Sequence, residues 1–145
     1  EQPDHLLRTL VAAFEMLDVL GEPDLLRPDG KPWTMRVGVH SGPVVAGIIG
    51  QTKFAYDLWG NTVNVASRLE SSGIPGLVNV TTKTYQLVER FFEGEHRGPI
   101  EVRGKGLVEM TQILRLRAPY ASDPRGFITN ARFWQETRDV GLAGV

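Results

Sequence analysis

Cysteine is absent from the 145 residues. A disulfide frame and a thiolate site are therefore both excluded, and the absence fits a reducing compartment, so a cytoplasmic location is the expectation. Long apolar runs are absent too. No stretch approaches the roughly 20 residues that a membrane-spanning helix needs, and the first residues carry no signal-peptide pattern. This chain is expected to hold no membrane segment, although an anchor elsewhere in a longer parent protein stays compatible. Excess charge of one sign is also missing. A net charge of −1 leaves no broad basic footprint for nucleic acid or an anionic membrane. No internal repeat or low-complexity tract occurs, which excludes repeat arrays and biased linkers.

What is present suits one soluble globular domain with a real core, at 41% hydrophobic and 23% charged residues. Pro3-Asp4 opens a helix with Asp4 as N-cap, and Leu7, Leu10, Val11, Phe14 and Leu17 follow at helical spacing as a core-facing stripe. Gly21 and Pro23 end it, and Asp29-Gly30 marks a turn. Met35, Val37 and Val39 alternate with Arg36, Gly38 and His40, which predicts a strand. After Ser41-Gly42-Pro43, the run Val44–Ile49 reads as a second, largely buried strand. Val78 and Val80 mark a short strand, and Thr81 or Thr82 caps a helix reaching Phe91 or Phe92. Residues 93–116 read as two strands with a turn near Arg103-Gly104. Mixed helices and strands with adjacent antiparallel pairs give an α+β class. Residues 1–116 form one unit, and 117–145 an extension. Pro119, Asp123-Pro124 and Gly126 make its first part linker-like, and 128–140 reads as a terminal helix. Phe127, Phe133 and Trp134 would make a costly exposed patch, so the extension is expected to pack on the domain.

The chain is organised around Lys53–Ser72, KFAYDLWGNTVNVASRLESS. Strand-type residues lead to Gly60, whose missing side chain permits a tight turn. Asn61 or Thr62 can cap the helix that follows, and Val63, Val65, Ala66 and Leu69 give it an apolar face. Asn64 and Arg68, four apart, share one face of that helix. A carboxylate at Asp57, with an amide and a guanidinium beyond a glycine turn, can hold a polar ligand. The same residues also fit a capped surface helix with solvated side chains.

Three segments carry a family resemblance. YDLWGNTVNVASRLES (residues 56–71) resembles the signature of the class III nucleotidyl cyclases, the adenylate and guanylate cyclases. RVGVHSGPVVAGIIG (36–50) resembles that family's central strand, glycine turn and next strand, and RGKG (103–106) its phosphate-binding lysine segment. Order and spacing agree over roughly Asp4–Leu116. The resemblance implies a ferredoxin-like cyclase catalytic core, of which this chain is the C-terminal portion. It implies that Asp57 reads the purine and Asn64 orients the ribose and triphosphate. Arg68 would stabilise charge at the α-phosphoryl group, and Lys105 would pair with the terminal phosphates. A carboxylate accepts from the exocyclic amine of adenine, whereas guanine presents an oxygen there, so Asp57 favours ATP over GTP.

The resemblance also marks a gap. In the family two metal-binding aspartates precede the first helix seen here. Asp4, Asp18, Asp24 and Asp29 lack their context, and Lys31 and Lys53 do not match the base-contacting lysine. Two divalent ions, Mg or Mn, are thus expected in the intact domain with no ligand in this chain, and the fragment alone is expected to be inactive. Without the upstream strands, the sheet is expected to keep an open edge. The implied function is an adenylate cyclase acting as a head-to-tail homodimer. A noncatalytic nucleotide-binding or dimerisation module is the alternative, discriminated by the upstream aspartates. An RNA-recognition fold would share the core, but it needs exposed strand aromatics and a basic face that are not evident. His40 is read as structural, Trp59 and Phe54 as core or interface aromatics, and Arg36 as solvated or ion-paired.

Overall fold

The computed structural model describes residues 4–50, 55–102 and 106–139, with only the backbone described for Ile49, Ala55, Asp57 and Asp139. The first helix, α1 (His5–Leu20), buries Leu7, Leu10, Val11, Phe14 and Leu17 as the helical period predicts, together with Leu6 and Ala13. Asp4 precedes it but makes no side-chain cap. Its carboxylate instead accepts from Arg8 Nε at 2.6 Å, an i, i+4 ion pair. Gly21 closes the helix by donating its N–H to the Leu17 carbonyl at 3.1 Å.

Four strands form the main sheet: β1 (Val37–Val39), β4 (Val78–Thr81), β5 (Phe92–Val102) and β6 (Gly106–Leu116). Their order is β1-β4-β6-β5, with β1 parallel to β4 and the other pairs antiparallel. No strand among the described residues pairs with the outer edge of β1. Val39, Val78, Val80 and Ile113 share a core with α1. A smaller apolar cluster joins Val102 and Met110 of the sheet to Val65 and Leu69 of α2 (Asn61–Ser71).

β2 (Val45–Ile49) and β3 (Ala55–Trp59) make a separate antiparallel pair. The expectation that β2 is largely buried fails: Val45 is 68% exposed and Ile48 71%. An apolar run specifies strand conformation, but it does not specify what covers the strand. Helix α3 (Thr82–Val88) starts as expected, with the Thr81 hydroxyl accepting from Thr84 N–H at 3.1 Å. It stops before Phe91, because Phe91 and Phe92 turn into an aromatic cluster where both are fully buried.

That cluster is completed by residues beyond 116. A short 3-10 turn (Ala118–Tyr120) and α4 (Ala131–Asp139) bring Phe133 within 5.3 Å of the Phe91 ring and 6.2 Å of Phe92, centroid to centroid. Phe127 lies 5.2 Å from Phe14. The stretch between is not a free linker. Burial alone would raise the Asp123 carboxyl, but the amides of Ile128, Phe127 and Arg125 donate to it and hold it below the ordinary carboxylate range.

Candidate active site

The turn from β3 into α2 is built by Gly60, whose φ of +140° favours glycine. Gly60, not Asn61 or Thr62, holds the N-cap position, and no side chain caps the helix. The Thr62 hydroxyl donates to the Pro43 carbonyl at 2.7 Å, so it ties α2 to the loop before β2.

At about 100° per residue, Val65 and Leu69 mark the buried side of α2, flanked by half-buried Thr62, Ala66 and Glu70. Asn61, Val63, Asn64, Ser67, Arg68 and Ser71 fill the exposed arc. Val63 therefore leaves the apolar face expected of it, at 37% exposure. Asn64 and Arg68 lie roughly 40° apart within that arc. Neither side chain is engaged in a hydrogen bond or ion pair among the described residues, whereas Arg36, Arg90, Arg115, Arg125 and Arg132 are all ion-paired. Two adjacent polar groups on one helix face, with no partner among the described residues, are open to solvent or to a ligand.

Asp57 stands in β3 at the register position opposite Gly47, three residues before Gly60. The fold thus puts Asp57 and the Asn64–Arg68 face on consecutive elements joined by one glycine turn. Lys105, with Arg103 and Gly104, lies outside the described residues. Val102 and Gly106 pair on either side of it. Arg36 is ion-paired, Nε to Glu70 Oε1 at 2.9 Å, as the sequence suggested. No group of three or more His, Asp or Glu side chains among the described residues could hold a metal. The described residues therefore do not fit a metal centre of their own.

Sequence reading passed over two residues that hold α2 in place. A Cβ on Gly38 would fall 2.3 Å from the Glu70 backbone nitrogen and 2.5 Å from the Ala66 oxygen, so α2 rests directly on β1. Asn79, fully buried in β4, donates through Nδ2 to the Leu69 carbonyl at 2.8 Å. Both had signals in the sequence. A glycine inside a strand marks close backbone approach, and an asparagine between two buried valines is out of place in a strand.

A family model described as the adenylate and guanylate cyclase catalytic domain matches residues 1–115. The chain belongs to this family. The adenylate cyclase of Mycobacterium tuberculosis is 38% identical over 123 residues, covering 85% of this chain and 27% of that protein. Adenylate cyclase type 9 of Xenopus laevis is 34% identical over 132 residues, covering 88% of the chain and 9% of that protein. The chain therefore spans about a quarter or less of these curated relatives. Among solved structures, the guanylate cyclase domain of RhGC from Catenaria anguillulae in complex with GTP superposes with a TM-score of 0.69 at 30% identity. That match covers 79% of this cyclase chain and 62% of the other. The catalytic core of a rhodopsin-guanylyl cyclase with converted specificity, in complex with ATPalphaS, superposes at 0.66 with 32% identity, covering 76% and 59%. The α+β fold is the class III cyclase catalytic core.

Proposed function

We propose that this cyclase chain forms the C-terminal portion of an adenylate cyclase catalytic domain, converting ATP to 3′,5′-cyclic AMP and pyrophosphate. The observation that carries the reading is the exposed, uncommitted Asn64–Arg68 pair on α2, one glycine turn beyond Asp57. Cyclisation is attack of the ribose 3′ hydroxyl on the α-phosphorus with loss of pyrophosphate, which needs in-line positioning and charge neutralisation. Asn64 orients the ribose without adding charge. Arg68 presents a planar fork of donors to the α-phosphoryl oxygens as charge develops there. Lys105 serves the terminal phosphates. The divalent ions of the family would sit on ligands outside this chain, and no step here is routed through them.

The relatives' names divide between the two nucleotides, so the choice rests on Asp57. A hydrogen bond to a charged group contributes about 1.5–3 kcal/mol, roughly a ten- to 150-fold preference. The intact protein is expected to favour ATP over GTP by at least the lower figure in kcat/KM, assayed at equal nucleotide with manganese. Equal or better cyclic GMP formation would remove the adenylate assignment. Nucleotide binding without either product would favour the noncatalytic module instead. Residues 1–145 alone are expected to form neither product.

A second chain is proposed to complete the site, giving a homodimer. The exposed apolar residues of the β2–β3 hairpin, Ile48 at 71% and Tyr56 at 72%, support an unfilled contact surface. An intact Arg68→Ala chain mixed with one lacking an upstream metal-binding aspartate should regain activity that neither has alone. Heterodimers without rescue would refute the shared site.

A further inference from the structure

The last four carbonyls of a helix have no partner within it. In α2, the Arg68 carbonyl accepts from Ser72 N–H at 3.0 Å and the Glu70 carbonyl from Gly73 N–H at 3.0 Å. The Leu69 carbonyl between them accepts from the side chain of Asn79, across the domain on β4, at 2.8 Å. The Leu69 carbonyl favours one orientation of this amide, with Nδ2 toward it. Nδ2 also donates to the Met110 sulfur, and turning the amide over would set its oxygen against two acceptors. Asn79 Oδ1 has no hydrogen-bond partner among the described residues, although it is fully buried.

α2 is thus seated on the main sheet at two points, besides its Thr62 tether to the loop before β2. Gly38 sets its depth on β1, since any side chain there would meet the helix backbone. Asn79 grips its last turn one residue beyond Arg68. The Arg36–Glu70 ion pair lies on the surface, with both side chains 44% exposed, and contributes little to the position.

We propose that Asn79 is a positioning residue for the cyclase reaction, whose buried amide fixes the rotation and depth at which α2 presents Asn64 and Arg68. This rests on the reading of those two residues as the groups that meet the nucleotide. It adds a residue that never touches the substrate, and a role that neither composition nor family motif assigns.

Asn79→Leu is the informative variant. It keeps the branched four-atom shape in a larger side chain, removes the donor, and also removes the unpartnered buried oxygen, which offsets part of the cost of leaving the Leu69 carbonyl without that donor. A displacement of about 1 Å in a reacting group can lower the rate about 10²-fold. In the intact protein, Asn79→Leu should lower kcat by about ten- to 100-fold, with KM for ATP within about threefold and a melting temperature near that of the unmodified protein. Asn79→Ser, which keeps a shorter donor, should recover part of kcat.

The double variant Asn79→Leu/Arg68→Ala provides a second readout. If Asn79 acts by seating Asn64 and Arg68, the double variant should lose less than the product of the two single losses, because Arg68→Ala removes one of the two groups it positions. Fully additive losses would overturn the proposal. So would an unchanged kcat in Asn79→Leu, or failure of both single variants to fold, which would make the residue purely structural. Absence of cyclase activity in the unmodified protein would instead refute the parent reading, and an unaffected Arg68→Ala with a slowed Asn79→Leu would refute the role of Arg68.

Discussion

Arg68→Ala should cost the intact enzyme about 10²-fold or more in kcat, the usual consequence of removing one donor aimed at developing charge. The loss should fall on kcat more than on KM, because the interaction strengthens as charge builds at phosphorus. Folding should change little. Arg68 is exposed on α2 and makes no ion pair among the described residues, and surface substitutions away from such features usually stay within about 0.5 kcal/mol. Its place in the last turn adds a favourable interaction with the helix dipole, on the order of 0.3–1 kcal/mol. Arg68→Lys should recover only part of the rate, since one ammonium cannot reproduce a planar fork. The measurement is kcat and KM for ATP beside melting temperature and dimer state. Near-normal kcat in Arg68→Ala would end the transition-state role. Loss only in proportion to unfolding or dissociation would leave a solvated helix face.

The largest stability effect should come from outside the stretch that matches the family. Phe133→Ala should destabilise the fold by about 3–5 kcal/mol, the range for emptying a buried aromatic site. Phe133 is wholly buried, with Phe91, Phe92, Tyr120 and Trp134 around it at centroid distances of 5.0–6.4 Å. For a domain of this size that corresponds to a fall on the order of 10 °C in melting temperature. Urea unfolding followed by circular dichroism would measure it. A change below about 1 kcal/mol would mean that α4 is not part of the cooperative unit.

Several features could be read from sequence because one physical rule dominated each. The α1 stripe follows helical period alone, and every residue assigned to it is buried. Thr81 caps α3 as its residue type predicts: its hydroxyl accepts from Thr84 N–H and also lies 2.8 Å from the Thr84 hydroxyl, so both contacts stay within the first turn. Elsewhere the sequence misleads. Asp4 and Thr62 are good capping residues by type, yet Asp4 engages Arg8 and Thr62 lies inside the first turn, past Gly60, where it donates to the Pro43 carbonyl. The β2 run failed for a different reason: its residues specify a strand, while its exposure depends on neighbours that no local pattern encodes. The candidate site was legible as far as Asn64 and Arg68, whose shared face follows from spacing. What seats that face, Asn79 and Gly38, comes from strands distant in sequence, and only an out-of-place asparagine and glycine hinted at it.

The docking of the C-terminal segment on α1 has a consequence for how this cyclase chain is made. Arg125 pairs with Asp18, 107 positions apart, and Phe127 covers Phe14. At about 5–20 residues per second on the ribosome, α1 waits roughly 5–20 s for that cover. Throughout that interval the ring of Phe14 lacks its final lid, and once Phe91-Phe92 has been added that pair waits for Phe133 as well. The nascent protein is therefore most vulnerable to aggregation in the interval after Phe91-Phe92 has emerged and before α4 has. Chaperone demand should track the arrival of residue 133 rather than completion of the sheet.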